Sequence, residues 1–286
     1  MLAKQQLNQP FADSEEPEEL AIKEGFFMSA GGLYVRPLID SETPFPSDAV
    51  GTFRMAGNEM DYEPGFQVSL GYQAADNWDY RLKFKHFSAK EKATFGSLSS
   101  ILTPFVQQEY QLNYDVLDFE IGKQFALSDS VSLRMSAGLR YAALEDNYKT
   151  TERNTGLDLL VNGAFTTTKN ENDFWGIGPR LTASPIWKPF HNNFRVFGNI
   201  GAAFLLGQYE IGGSPRDGVT SLEGIKEGFL TIVEAGAGIG YTFNTQLIDL
   251  DISAGYQFEH WLDSDLTDTL LYRGFHGSYG TIGVKF

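Results

Sequence analysis

The residues best placed to do chemistry lie near the end of the chain: Glu259, His260, Asp263, Asp265 and His276. A histidine among carboxylates can act as a general acid or base, so an Asp–His or two-carboxylate hydrolase centre is one chemistry this stretch allows. The same residue types also make an ordinary solvated hairpin, and the other histidines, His86 and His191, stand alone. The run AGAGIGYTF (235–243) has the glycines of a phosphate-cradling loop, but no helical pattern follows and its period stays at two, which argues against nucleotide binding. Asp40, Glu42, Glu59 and Asp61 are acidic enough to attract divalent cations, yet they lack calcium-loop spacing. The absence of Cys removes thiolate chemistry and disulfides, and neither a metal site nor a cofactor is expected. A net charge of −15 argues against a nucleic-acid partner, whose phosphates require Lys and Arg patches.

The segments that would have to position any such site have a period of two. In Val131–Ala142, Val131, Leu133, Met135, Ala137, Leu139 and Tyr141 share one face; Ser132, Arg134, Ser136, Gly138 and Arg140 share the other. Ile248–Glu259 repeats the pattern. Alternation alone also fits a soluble sandwich, but these runs are far longer than the usual 5–6 residues of globular strands and suit a tilted bilayer crossing of about 9–11. The longest stretch free of charged residues and His, Ala93–Gln108, spans 16 residues and is rich in Ser, Thr and Gln, so no membrane helix is predicted.

Strands are expected at about 24–36, 63–73, 78–88, 105–125, 131–144, 173–187, 194–207, 227–243, 247–261 and 271–286. Short connections (Ala74–Asn77, Ala126–Ser130, Lys188–Asn193, Asn244–Gln246) alternate with long polar ones (Pro37–Tyr62, Ser88–Pro104, Glu145–Asn172, Gln208–Lys226, Leu262–Leu271). That is the arrangement of periplasmic turns and extracellular loops in an outer-membrane barrel. The predicted fold is therefore all-β: a transmembrane antiparallel up-and-down β-barrel of about ten strands, both termini periplasmic, over residues 24–286. Residues 1–23 read as a flexible acidic segment, and a signal peptide is presumed already removed. Twelve strands, with extra hairpins in the longest loops, is the alternative count.

In the fourth strand the apolar phase changes from Tyr110, Leu112, Tyr114 and Val116 to Leu117, Phe119, Ile121 and Phe125, which predicts a β-bulge near Val116–Leu117. Aromatics at strand ends predict two interfacial girdles: Tyr72, Trp78, Tyr80, Phe125, Trp187, Phe243 and Phe286 at the short-turn end, with Tyr110, Tyr141, Phe174, Phe258, Trp261 and Tyr272 at the other. The final residues, YGTIGVKF, place Ile282, Val284 and Phe286 on one face, a pattern expected to be read by barrel-assembly machinery.

If the apolar phase faces lipid, the polar phase lines the lumen. The expected pore-lining residues are Arg81, Lys83, Lys85, Glu109, Asp115, Asp118, Glu120, Arg134, Arg140, Arg195, Glu234, Asp249 and Asp251. Successive strands run basic, acidic, basic, which allows cross-strand ion pairs. Two charged walls either face each other across an open lumen or neutralise each other in a filled one.

Several blocks together resemble the Legionella-type major outer membrane protein family, whose relatives also occur in chlamydia-like bacteria. They are GFFMSAGGLYVRP (25–37), PGFQVSLGYQAADNWDYRLKFKHF (64–87), YDVLDFEIGKQFALSDSVSLRMSAGLRYA (114–142), NDFWGIGPRLTASPIW (172–187) and GAGIGYTFNTQLIDLDISAGYQFEHW (236–261). The resemblance implies a pore-forming protein of the bacterial outer membrane and carries over no catalytic residue. Members often contain Cys and are disulfide-linked, so a Cys-free chain is not expected to join a covalent surface network. The leading functional expectation is a porin-like barrel passing small solutes by size and lumenal charge. A structural or adhesive barrel with a filled lumen, acting through its loops, and an outer-membrane hydrolase are the alternatives. Outer-membrane lipid and lipopolysaccharide are the expected surroundings, and an oligomer is left open.

Overall fold

Lipid offers no hydrogen bonds, so long alternating strands can cross a membrane only by pairing on both edges until the sheet closes. The computed structural model describes residues 24–39, 61–96, 105–153, 165–189, 193–214, 224–263 and 272–286. The strands are β1 (Gly25–Ile39), β2 (Glu63–Gln73), β3 (Trp78–Gly96), β4 (Phe105–Ala126) and β5 (Val131–Arg153), followed by β6 (Phe165–Trp187), β7 (Phe194–Ser214), β8 (Gly224–Asn244), β9 (Asp249–Asp263) and β10 (Tyr272–Lys285). Each is antiparallel to the next, and β10 pairs with β1 to close the barrel. The Phe286 N–H donates to the Phe26 carbonyl at 2.9 Å and extends that seam to the chain end. Both ends of the barrel chain lie on the short-turn, periplasmic side. The acidic segment 1–23 lies outside the described residues.

The short turns are locally encoded. Asp76 and Asn77 take up positive φ (58° and 64°), which short polar side chains tolerate, and the Ala74 N–H closes the turn on the Trp78 carbonyl at 2.8 Å. Between β8 and β9 the Thr245 hydroxyl bonds the Ile248 carbonyl at 2.5 Å and accepts the Ile248 N–H at 3.1 Å.

The strands on one side are much longer than the sequence pattern predicts. β5 and β6 have 23 residues each, whereas β2 has 11 and β10 has 14. At about 3.3 Å per residue, a 23-residue strand extends roughly 75 Å, far more than a tilted crossing of a ~25 Å apolar band requires. The wall from β3 to β8 therefore stands above the membrane, and much of the polar sequence expected as loops 88–104, 145–172 and 208–226 is strand instead.

The outward face of β5 shows where the membrane ends. It is apolar from Leu133 to Ala143, with Met135 and Leu139 about half exposed, then polar from Glu145 to Arg153. The inward face changes in the opposite sense, from Arg134 and Arg140 to Ala142 and Leu144. The same inversion explains β4. No bulge interrupts it: the pairing of β4 with both β3 and β5 runs in unbroken register through Val116 and Leu117. The apolar phase switches because the solvent does. Below Leu117 the outer face meets lipid; above it, Asp115 and Asn113 meet water while Tyr114, Leu112 and Tyr110 turn into a dry interior.

Of the expected girdle, Trp78, Tyr80, Phe125, Trp187, Phe243, Phe286, Tyr141 and Phe258 are on the outer surface, each at least 40% exposed. Trp261, Tyr110 and Phe174 are not: all three are buried inside the barrel. They sit at the height where apolar side chains face inward, so an aromatic near the long-loop end does not have to be interfacial.

A cation on the outer face of β5 at mid-membrane has no aqueous neighbour. Leu139→Arg is expected to destabilise the barrel by about 2–4 kcal/mol, read as a shift in the denaturant-unfolding midpoint in lipid vesicles. Lys149→Leu, on the same face above the membrane, is expected to leave that midpoint nearly unchanged.

Candidate functional site

The interior at membrane height is a lattice of ion pairs. Arg81, Lys83 and Lys85 (β3), Asp118 and Glu120 (β4), Arg134 and Arg140 (β5), and Glu234 (β8) all face inward as the alternation requires. Arg195 and Asp251 also face inward, and Asp249 lies on the inward phase at the periplasmic rim, opposite Lys285 in register. Glu109 and Asp115 face outward. Glu109 pairs with Lys92 at 2.9 Å and Asp115 with the His86 ring at 2.8 Å, both on the outer wall, because β4 keeps a single phase where a bulge was expected.

The lattice does not leave two opposed walls. Arg140, 1% exposed, bonds both oxygens of Asp118 on the adjacent strand (2.7 and 2.8 Å) and reaches Glu234 at 2.9 Å, three strands away on β8. Arg180 of β6 bonds Glu120 of β4 and Glu234 of β8 at once. Lys83 and Arg134 complete the shell of Glu120 at 2.9 and 3.0 Å. Asp118, Glu120 and Glu234 thus each meet more than one cation, the condition under which charges are tolerable in a low-dielectric interior.

One device recurs. Arg134 of β5 lies flat across Gly122 of β4 to make a bidentate pair with Asp79 of β3 at 2.6 and 2.8 Å. A Cβ at Gly122 would sit 2.6 Å from the guanidinium carbon. Arg195 of β7 crosses Gly240 of β8 to Asp251 of β9 in the same way, and a Cβ there would come within 2.8 Å of that guanidinium. In both places an arginine spans a strand where a glycine makes room.

Above the lattice is an apolar layer drawn from nearly every strand. Val35, Phe87, Tyr114, Leu144, Phe174, Leu205, Ile232, Trp261 and Phe275 are all at most 1% exposed. Its centre is an aromatic cluster. Tyr114 of β4 contacts Phe87 (5.4 Å between ring centroids), Trp261 (5.0 Å) and Phe275 (5.7 Å), joining β3, β4, β9 and β10 across the lumen. Glu259 ties the two layers together. It accepts hydrogen bonds from the Tyr114 hydroxyl, from the Trp261 indole at 3.0 Å and from Lys85 at 3.2 Å.

Asp79, Arg180 and Glu259 were not among the expected lining residues. Asp79 alternates with outward Trp78 and Tyr80, and Arg180 with outward Leu181, so phase alone would have found both. Glu259 is instead part of the expected hydrolase cluster, which the fold separates. Glu259 points inward, while His260 and His276 lie on the outer face, His260 stacked on Phe258 and His276 bonded to Tyr256. The Asp263 side chain and Asp265 lie outside the described residues, as do Asp40, Glu42 and Glu59.

The closed antiparallel sheet, its lipid-facing belt and its polar membrane-level interior define an outer-membrane β-barrel. The model of the family described as Legionella pneumophila major outer membrane protein precursor matches residues 21–272, and the chain belongs to that family. No curated protein matches the sequence. Among solved structures, the outer membrane protease OmpT of Escherichia coli is similar in fold, at 9% identity and TM-score 0.51, covering 93% of this chain and 99% of that one. The translocator domain of autotransporter NalP from Neisseria meningitidis (12% identity, 92% and 88% covered) and the toluene transporter TodX of Pseudomonas putida (12%, 92% and 90%) score lower, at 0.45 and 0.37.

Removing Arg140 leaves Asp118 and Glu234 short of a cation in a dry interior. Arg140→Met is expected to cost about 3–5 kcal/mol in reversible unfolding from vesicles. Asp118→Asn combined with Arg140→Met is expected to recover part of that loss, since it removes a stranded charge.

Proposed function

We propose that this protein is a closed structural barrel of the bacterial outer membrane, acting through its tall extracellular wall rather than through its lumen and without catalysis. The observation that carries this reading is the aromatic cluster that joins opposite walls through Tyr114, Phe87, Trp261 and Phe275. A solute path needs water-sized space at every height. Arg140, Glu120, Glu259 and Trp261 are each 1% exposed, and Phe87, Leu205 and Phe275 are 0% exposed, so there is no such space beside them. Arg81 and Lys83 are 30% and 36% exposed, so water enters the lower interior on that side, beneath the aromatic layer.

The function of such a barrel lies in what it presents to the outside. β3 to β8 lift a polar outer face above the membrane, with Glu145, Asp173 and Glu210 opposite one another on successive strands. The separation of Glu259 from His260 and His276 weighs against the hydrolase reading.

Planar-bilayer recording tests the proposal. The folded wild type is expected to insert without conducting, whereas a variant combining Tyr114→Ala, Trp261→Ala and Phe275→Ala is expected to give stable steps. Steady single-channel steps from the wild type would return the function to passage of small solutes through the lumen.

A further inference from the structure

A shallow apolar trough runs over the outer wall where β10, β1, β2, β3 and β4 meet, floored by Met28, Ala30, Val68, Leu70, Leu82 and Ile282. Just above it, Gly32 and Gly280 face each other across the β1–β10 seam on the outward phase. Internal packing does not explain either glycine. A Cβ at Gly32 meets nothing within 4 Å, and one at Gly280 meets only the Ser253 carbonyl oxygen, at 3.9 Å. At Gly138 and Gly178, by contrast, a Cβ would strike a backbone oxygen at 1.8 Å. Gly32 and Gly280 also lack the positive φ that would favour glycine. Glycine weakens a strand, so two such positions side by side cost stability without any internal return. Their effect is to keep this strip of wall bare.

Four residues further up β1, Arg36 is the cross-strand partner of His276. Aromatic side chains gather around them. Tyr62 stacks on Tyr34 at 5.2 Å, turns its edge to His276 at 5.8 Å and lies beneath the Arg36 guanidinium at 6.0 Å. The Tyr256 hydroxyl is hydrogen-bonded to the His276 ring. Around the barrel, just above the lipid-facing belt on β4, β5, β6 and β7, the outer face carries Asp115, Glu145, Asp173 and Glu210 instead. At this level an anionic group would meet the Arg36 guanidinium, with Asp61 beside Tyr62, on this side and a row of carboxylates on β4 to β7.

We infer that the trough, the bare strip and the Arg36–His276 cluster form a seat for a phosphorylated glycolipid of the outer leaflet. One acyl chain lies over Gly32 and Gly280 into the trough, and the phosphate meets Arg36, His276 and the tyrosine hydroxyls. The cluster lies toward the long-loop end, which assigns the headgroup to the outer leaflet. From Arg36 to Met28 is roughly 26 Å along the strand, or about 19 Å of depth at a 45° tilt, close to the ~15 Å of hydrocarbon in one leaflet.

The test uses the full chain purified from outer membranes in mild detergent, with retained lipid counted by native mass spectrometry and then challenged with purified lipid A or phosphatidylglycerol. The wild type is expected to retain one glycolipid and to prefer lipid A. Gly32→Leu with Gly280→Leu should fill the strip and abolish retention, with the heat-resistant gel mobility of the folded barrel unchanged. Arg36→Gln should lower the preference for lipid A about fivefold, the effect of one interfacial cation. Undiminished retention in the leucine variant overturns the inference. So does equal preference for phosphatidylglycerol in the wild type, or a wild-type dimer that the leucine variant loses, which would make a second copy of this chain the occupant.

Discussion

Every strand of this barrel passes through two solvents, and most of the structure follows from that constraint. At membrane height the outside is hydrocarbon, so apolar side chains face out and polar ones must be satisfied within. Above the membrane the outside is water, and the hydrophobic effect draws apolar side chains inward as in a soluble protein. The backbone needs no bulge to make the change. It keeps one phase, and the side-chain types exchange faces, as at Val116–Leu117 of β4 and Ala143–Glu145 of β5.

The interior at membrane height has to be solved electrostatically. Beside Arg81 and Lys83 water shares in this, but deeper in the lattice the charged side chains satisfy one another. The carboxylates of Asp118, Glu120 and Glu234 are shared among Arg134, Arg140, Arg180 and Lys83, so the cations reach across strands and across the lumen. Such reach needs clearance, and Gly122 and Gly240 provide it. The lattice ties β4, β6 and β8 to one another through Arg180, which bonds Glu120 and Glu234 together.

Glu259 couples this lattice to the dry layer above it. Its carboxylate sits at the boundary, held by Lys85 from the charged layer and by Tyr114 and Trp261 from the aromatic one. Neither layer is therefore independent of the other. Together the two layers join opposite walls of the barrel, and the outer face differs from side to side, with Glu145, Asp173 and Glu210 above the belt on β5 to β7 and Arg36 among aromatic rings beside the β1–β10 seam.

Much of the fold was legible in the sequence because lipid enforces strict alternation. The ten strands, the short turns, the periplasmic termini and the inward placement of Arg81, Arg134, Arg140 and Glu234 all follow from a period of two. Legibility ended where alternation lost its meaning. Above the membrane both faces carry polar residues in the sequence, so the upper halves of β5 and β6 read as loop, and Trp261, Tyr110 and Phe174 read as interfacial although they are buried. Which charges meet was a separate matter. Phase assigns a residue to the interior but carries no information about reach across a lumen, so the pairing of Arg140 with Glu234, the crossing of Gly122 by Arg134 and the recruitment of Glu259 away from its neighbouring histidines were decided only when the sheet closed and set its radius.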